Sequence, residues 1–122
     1  MIRRDARVGA VSLAAMDLRA TTSIVAGVPT VAVDGIVDLG SIAAFRDALL
    51  RTVHANSGTL VVADLDGVVA LDDAGLGMLL GAAAAARQAD GDLEIVCTNK
   101  RLRTRLERTR LDQSITVRDT IS

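Results

Sequence analysis

The segment that most constrains the fold is TLVVAD, Thr59 to Asp64. Four apolar residues run without interruption between a turn-forming Asn56-Ser57-Gly58 and a carboxylate, and the run is short and rich in β-branched residues. A helix face would show apolar residues at every third or fourth place, and a half-exposed strand would alternate. An unbroken run of this length reads instead as a strand covered on both faces, the situation of a parallel sheet. Parallel neighbours need crossover connections, usually helices, so helical periodicity should flank the run. It does: Ile42, Phe45, Leu49 and Val53 recur at helical spacing behind Ser41, a candidate cap, and Asn56-Ser57-Gly58 closes that helix. Upstream, DLRATTSIVAG and TVAVDG are two short strands with a hairpin signal at Gly27-Val28-Pro29. Downstream come a helix from about Asp73 to Ala89, a strand in LEIVC, a third helix in KRLRTRLERTR and a last short strand in SITVR. The expected architecture is one α/β domain, a mixed sheet of four to five strands with three to four helices packed against it through right-handed crossovers. In such sheets, binding surfaces form where strands end and helices begin.

Composition removes several classes of function. Phe45 is the sole aromatic among 122 residues, so the stacking platforms of single-strand nucleic-acid binders are absent and the core must be built from Val, Leu, Ile and Ala. With net charge −1 and no recognition motif, nucleic acid is not an expected partner. The single cysteine, Cys97, cannot form an internal disulfide, reads as a small core residue and fits a reducing, cytoplasmic setting. His54, the only histidine, ends a helix as a surface residue, and without a second histidine or a cysteine cluster no zinc site is expected. Residues 1–17 mix basic and apolar side chains in a run too short for membrane insertion. They read as a lead-in to the domain at 18–122, with an amphipathic docking segment as the alternative. Gly75, Gly77, Gly81 and Ala82 to Ala86 make a slim second helix suited to close packing on the sheet, with neither a P-loop nor a dinucleotide spacing. The third helix carries Lys100, Arg101, Arg103, Arg105, Arg108 and Arg110 against Glu107. Leu102 and Leu106 give it a buried side, so the basic residues read as a solvated face, and an acidic partner or anionic ligand is the alternative.

VVADLDGVV resembles the first motif of haloacid dehalogenase-type phosphatases, with Asp64 as nucleophile and Asp66 as general acid/base. A carboxylate can accept a phosphoryl group, and such a pair can hold Mg²⁺ through oxygen. That family also requires a downstream Ser or Thr, a Lys and further acids at later strand ends; here Lys100, the only lysine, opens an arginine-rich helix, and no acidic pair ends a later strand. The plainer expectation is that both aspartates end a strand and hydrogen-bond the turn leading to Val68 and Val69. No catalytic residue, cofactor or metal is assigned.

Over Leu18 to Val117 the chain resembles a STAS domain, the fold of bacterial anti-sigma factor antagonists. VDGIVDLGSIAAFRDAL is similar to the family's G-E-L-D turn into its first helix, with Gly35 and Asp38 in place. TLVVADLDGVVALDDAGLGMLLGAAAAAR resembles D-L-S-x-V-x-x-x-D-S-S-G-L-G-x-L, with Asp72, Gly75, Leu76 and Gly77 in step, and KRLRTRLERTRLDQSITV resembles the ending V-x-R-x-L-x-x-x-G-L-x-x-x-x-x-V. The resemblance implies a protein-interaction regulator of transcription and stress response, not an enzyme. It would bind an anti-sigma factor or serine-kinase-type regulatory protein through Asp38, Asp72, Asp73, Ala74, Gly75, Leu76 and Met78. An accessory subunit of an ABC transporter ATPase is the alternative. A homodimer is left open; five residues follow Val117, where the family usually adds a helix.

The chain departs from the family where that family is phosphorylated. D-S-S-G becomes Asp72-Asp73-Ala74-Gly75, so Asp73 takes the phosphoacceptor position and a fixed charge near −1 replaces a switch between zero and about −2. Three readings of Asp73 stay open at this point: a helix cap, a locked mimic of the phosphorylated form, or a contact for a basic residue of the partner.

Overall fold

The computed structural model describes residues 12–15, as backbone, and 18–120. The lead-in and amphipathic-segment readings of residues 1–17 therefore fall largely outside the described residues. Six strands, β1 (Ser12–Ala15), β2 (Leu18–Val25), β3 (Val28–Val37), β4 (Leu60–Leu71), β5 (Asp92–Val96) and β6 (Val117–Arg118), form one sheet in chain order. Helices α1 (Ile42–Ala55), α2 (Asp73–Gln88) and α3 (Lys100–Arg108) connect the later strands, and a 3-10 turn (Leu111–Gln113) precedes β6. The expected mixed α/β sheet is present, and β1 adds a short antiparallel edge strand within the stretch read as a lead-in.

The first three strands pair antiparallel and β3 to β6 pair parallel, each parallel step spanned by a helix. Right-handed crossovers that all advance in one direction across a sheet must lie on the same face. The core bears this out. Val61, Ala63 and Leu65 of β4 share one apolar cluster with Phe45 and Leu49 of α1, Leu79 and Ala83 of α2, and Leu102 and Leu106 of α3. Val62 is also buried, between its register partners Thr30 of β3 and Glu94 of β5, but stands outside that cluster. Three successive residues of β4 are thus buried on alternating faces, as the unbroken apolar run predicts. Phe45 and Cys97 are fully buried.

Several local expectations change. The hairpin turns at Ala26-Gly27, one residue before the expected site, with positive φ at both positions, +51° and +80°. Two left-handed residues make the turn that matches strand twist, but alanine is a poor occupant of it. Ala26→Gly is expected to raise stability by about 0.5–1 kcal/mol in a denaturant titration. Ser41 sits at the start of α1 without capping it: its hydroxyl donates to the Ile36 carbonyl at 2.7 Å and accepts from Asp38 N–H at 3.1 Å, stapling the strand end instead. The last strand is only two residues, and it follows a turn at Leu111–Gln113 that the chain enters through Arg110 in a left-handed conformation.

β4 is the largest departure. Asp64, Asp66 and Gly67 look like a strand end, yet β4 continues to Leu71. Its neighbour β3 accommodates this with register shifts between Ala32 and Asp34 and between Gly35 and Ile36, where Gly35 has φ +109°. Gly67 lies where a Cβ would strike the Asp34 carboxylate, so the glycine is a point of close approach between paired strands. Gly77 and Gly81 lie exposed with open space or ordinary contact around them; only Gly75 of the three faces the core. Gly81→Ala should therefore gain up to about 1 kcal/mol from helix propensity alone, read as a higher melting temperature.

Candidate functional site

The loops after β3 and β4 meet at one end of the sheet. The Asp72 backbone N–H donates to the Val37 carbonyl at 3.0 Å, which brings the residues preceding α1 against those that open α2. Asp38, half-buried, accepts from Gly40 N–H at 2.9 Å and holds the first loop in a tight turn. Asp72 is the cap of α2: its backbone is extended and its carboxylate accepts from Gly75 N–H at 3.0 Å. This assigns the cap to Asp72 and not to Asp73. Asp72→Ala should accordingly cost about 1 kcal/mol in thermal or denaturant unfolding.

Gly75 and Leu76 are buried, so they shape the helix start from beneath it. Met78 is partly buried against the core and Ala74 is half-covered. Of the seven residues singled out in the sequence, Asp73 alone stands fully in solvent, with 95% of its side chain exposed. Its carboxylate accepts a hydrogen bond from Arg105 Nη2 of α3 at 2.9 Å, a contact no sequence pattern indicated across 32 residues. Arg103 is also tied down, donating to the Cys97 carbonyl and pairing with Asp119, so α3 is less uniformly solvated than its composition suggests. Two apolar residues missed in the sequence lie at the same end: Leu39 in the loop after β3 is 81% exposed and Val69 of β4 is 70% exposed. Only the loop geometry and the continued run of β4 bring them to the surface.

Asp64 and Asp66 take structural partners of their own, though not at the turn expected from the sequence. Asp64 accepts from Asp66 N–H at 3.0 Å, and Asp66 reaches across to β5's end to accept from the backbone N–H and hydroxyl of Thr98. Burial, chiefly, and the neighbouring charges of Asp66 and Asp34 push the Asp64 carboxyl above its ordinary value, against the lowering effect of that N–H bond. The folded form then binds protons that the unfolded form releases, so this group favours folding at low pH and that contribution is lost as pH rises through its folded value. Asp64→Asn keeps the acceptor oxygen, removes the charge and is expected to be more stable than wild type at neutral pH. The gain should disappear in acid, which urea titrations at the two pH values would show. Among the described residues no group of three or more His, Cys, Asp or Glu side chains is placed to hold a metal ion, and no helix is long and apolar enough to cross a membrane.

Comparison with known proteins agrees with this architecture. The chain is similar to an anti-sigma factor antagonist from Mycobacterium paratuberculosis (24% identity, 89% of this chain and 92% of that one covered, TM-score 0.76). It is also similar to the anti-sigma factor antagonist SpoIIAA in its unphosphorylated form (15% identity, 80% and 86% covered, TM-score 0.63). The Bacillus cell fate determinant SpoIIAA in its phosphorylated form resembles it too (15% identity, 80% and 89% covered, TM-score 0.58). At these identities the likeness is one of fold. A search of curated proteins found no match. The family profile for the STAS domain matches residues 19–122, nearly the whole described domain; with the sheet order and the helix start at Asp72 to Gly75 already in view, the chain belongs to the STAS domain family.

Proposed function

We propose that this STAS domain is a docking regulator that binds a kinase-type anti-sigma factor through the end of the sheet where α1 and α2 begin, without catalytic turnover. One observation carries the reading: a fully exposed carboxylate, Asp73, shares that end with two large, exposed apolar side chains, Leu39 and Val69. Lone exposed apolar residues are ordinary, but two at the same end as a fixed charge on a rigid helix start form the mixed apolar and polar surface typical of an interface. The solved structures it resembles are described as anti-sigma factor antagonists, and SpoIIAA is described in both phosphorylated and unphosphorylated forms. Position 73, matched to the family's phosphoacceptor, has no hydroxyl, so binding here is set by a permanent side chain and is indifferent to kinase activity at that site.

Calorimetric titration against the kinase-type anti-sigma factors of the same genome tests the proposal. A saturable complex is expected with one of them, and Asp73→Lys should abolish it, since a lysine there would face Arg105 as well as the partner. Absence of binding by the wild type to every such protein overturns the reading. So would hydrolysis of a generic phosphate ester that disappears in Asp64→Asn, because that variant is expected to stay folded.

A further inference from the structure

We infer that Arg105 neutralises Asp73 from within the chain, so that the docking face meets its partner with no net charge at the phosphoacceptor position; this rests on the docking function proposed above. The pair spans two helices, Arg105 Nη2 to Asp73 Oδ1 at 2.9 Å. Two further observations distinguish it from an incidental surface contact. Arg105 keeps only 37% of its side chain exposed, and its Nε is buried with no hydrogen-bond partner among the described residues. The guanidinium is therefore held by packing, with one N–H sealed from water and another presented to the carboxylate. Its neighbour in the helix, Arg103, is committed elsewhere, to the Cys97 carbonyl and Asp119, so Arg105 is the α3 cation that answers Asp73.

In isolation an exposed pair of this kind contributes little to stability. Its role appears when a partner covers the surface. A protein that packs on Leu39 and Val69 removes water from the same end of the sheet, and an ionised carboxylate left there without a counter-charge is costly to desolvate. Arg105 supplies that counter-charge before the partner arrives. Asp73 is then not equivalent to a phosphoserine of charge near −2: the local sum is zero, as it would be with an unmodified serine. Arg105 acts as a positioning residue for Asp73, and the partner has no need of a cation opposite it.

The test is a double-mutant cycle read two ways. In the first, affinity for the anti-sigma factor that binds wild type is measured for Asp73→Asn, Arg105→Gln, the double variant and Arg105→Lys. Each neutralising single variant strands one charge, so each should weaken binding by about tenfold or more, while the double variant, with no charge to strand, should return to within about threefold of wild type. Arg105→Lys keeps the charge and should retain most of the affinity. Equal losses in the single and double variants, or no loss in Arg105→Gln, would overturn the inference while leaving the docking function standing. The second readout needs no partner: the Arg105 Nε–H resonance in a ¹⁵N spectrum. It should exchange with water more slowly than that of exposed Arg101, and should shift in Asp73→Asn but not in Asp72→Asn. Fast exchange and no response to Asp73→Asn would show that the pair does not form. Failure of every anti-sigma factor to bind wild type would bring down the docking role of Arg105 together with the proposed function, whatever the spectrum shows.

Discussion

Gly91→Ala is expected to lower stability by about 3 kcal/mol and the melting temperature by roughly 10 °C. Gly91 lies between α2 and β5, and its N–H donates to the Ala86 carbonyl at 2.8 Å while the chain passes directly over Thr59. A Cβ on Gly91 would stand 2.3 Å from the Thr59 carbonyl oxygen and 3.1 Å from its nitrogen. Both are backbone atoms at the entrance to β4, so no side chain can rotate to relieve the overlap. The next residue, Asp92, donates its N–H to the same Thr59 carbonyl at 3.2 Å and starts the β4 to β5 pairing at Leu60 and Asp92. Relief by backbone movement would therefore pull apart the first rung of that ladder. Circular dichroism melts of the purified variant would check this; a melting temperature unchanged within error would mean that the loop can shift at no cost.

The second effect joins stability to docking. Gly75 lies under the first turn of α2, where an added Cβ would sit 2.4 Å from Leu71 Cδ1 and 2.8 Å from Val37 Cγ1. Leu71 can swing its terminal methyl aside, but Val37 is β-branched, buried and confined to one rotamer well by its strand. Gly75→Val should cost about 2–3 kcal/mol through overpacking. It should also lift the helix start away from the sheet and break the Asp72 cap, so affinity for the partner is expected to fall by more than tenfold even in the fraction that remains folded. Comparing Gly75→Val with Asp72→Ala separates the two causes: the cap variant loses about 1 kcal/mol and should bind nearly as wild type. Equal binding by both would remove the claim that the helix start must lie close to the sheet.

Much of this fold was legible because its signals are local. The apolar run Leu60 to Ala63 and the spacing of Ile42, Phe45, Leu49 and Val53 each identify an element without knowledge of its neighbours. The errors came where a neighbour decides. Aspartate and glycine are depleted in strands, so Asp64, Asp66 and Gly67 read as an ending; β4 runs on because β3 shifts register beside it and leaves no space for a side chain at Gly67. Nothing near Gly91 in the chain reveals that Thr59 passes beneath it. Gly75 was legible through a family motif and as one of three glycines in a slim helix; that it alone of the three packs closely, against Val37 and Leu71, needs the sheet. At the site, Asp72 and Asp73 were found as a pair. Which of them caps and which stands in solvent depended on backbone geometry at the helix start. The contribution of Arg105 lay beyond sequence reasoning because one basic residue in a basic helix is indistinguishable from the next until the helices are packed.

The strand order repeats the chain order from β1 to β6, and this bears on how the molecule is made. A ribosome releases such a sheet in the sequence in which it is assembled, each new strand finding its predecessor already in place, with no gap held open for a later arrival. Such nearest-neighbour growth keeps loop closures short. Leu39, Asp72, Asp73 and the helix start of the proposed docking face emerge first, and Arg105, which pairs with Asp73, follows 32 residues after it. During synthesis, this end of the sheet is thus complete in shape before Asp73 has its counter-charge, which arrives only when the third helix closes over the core.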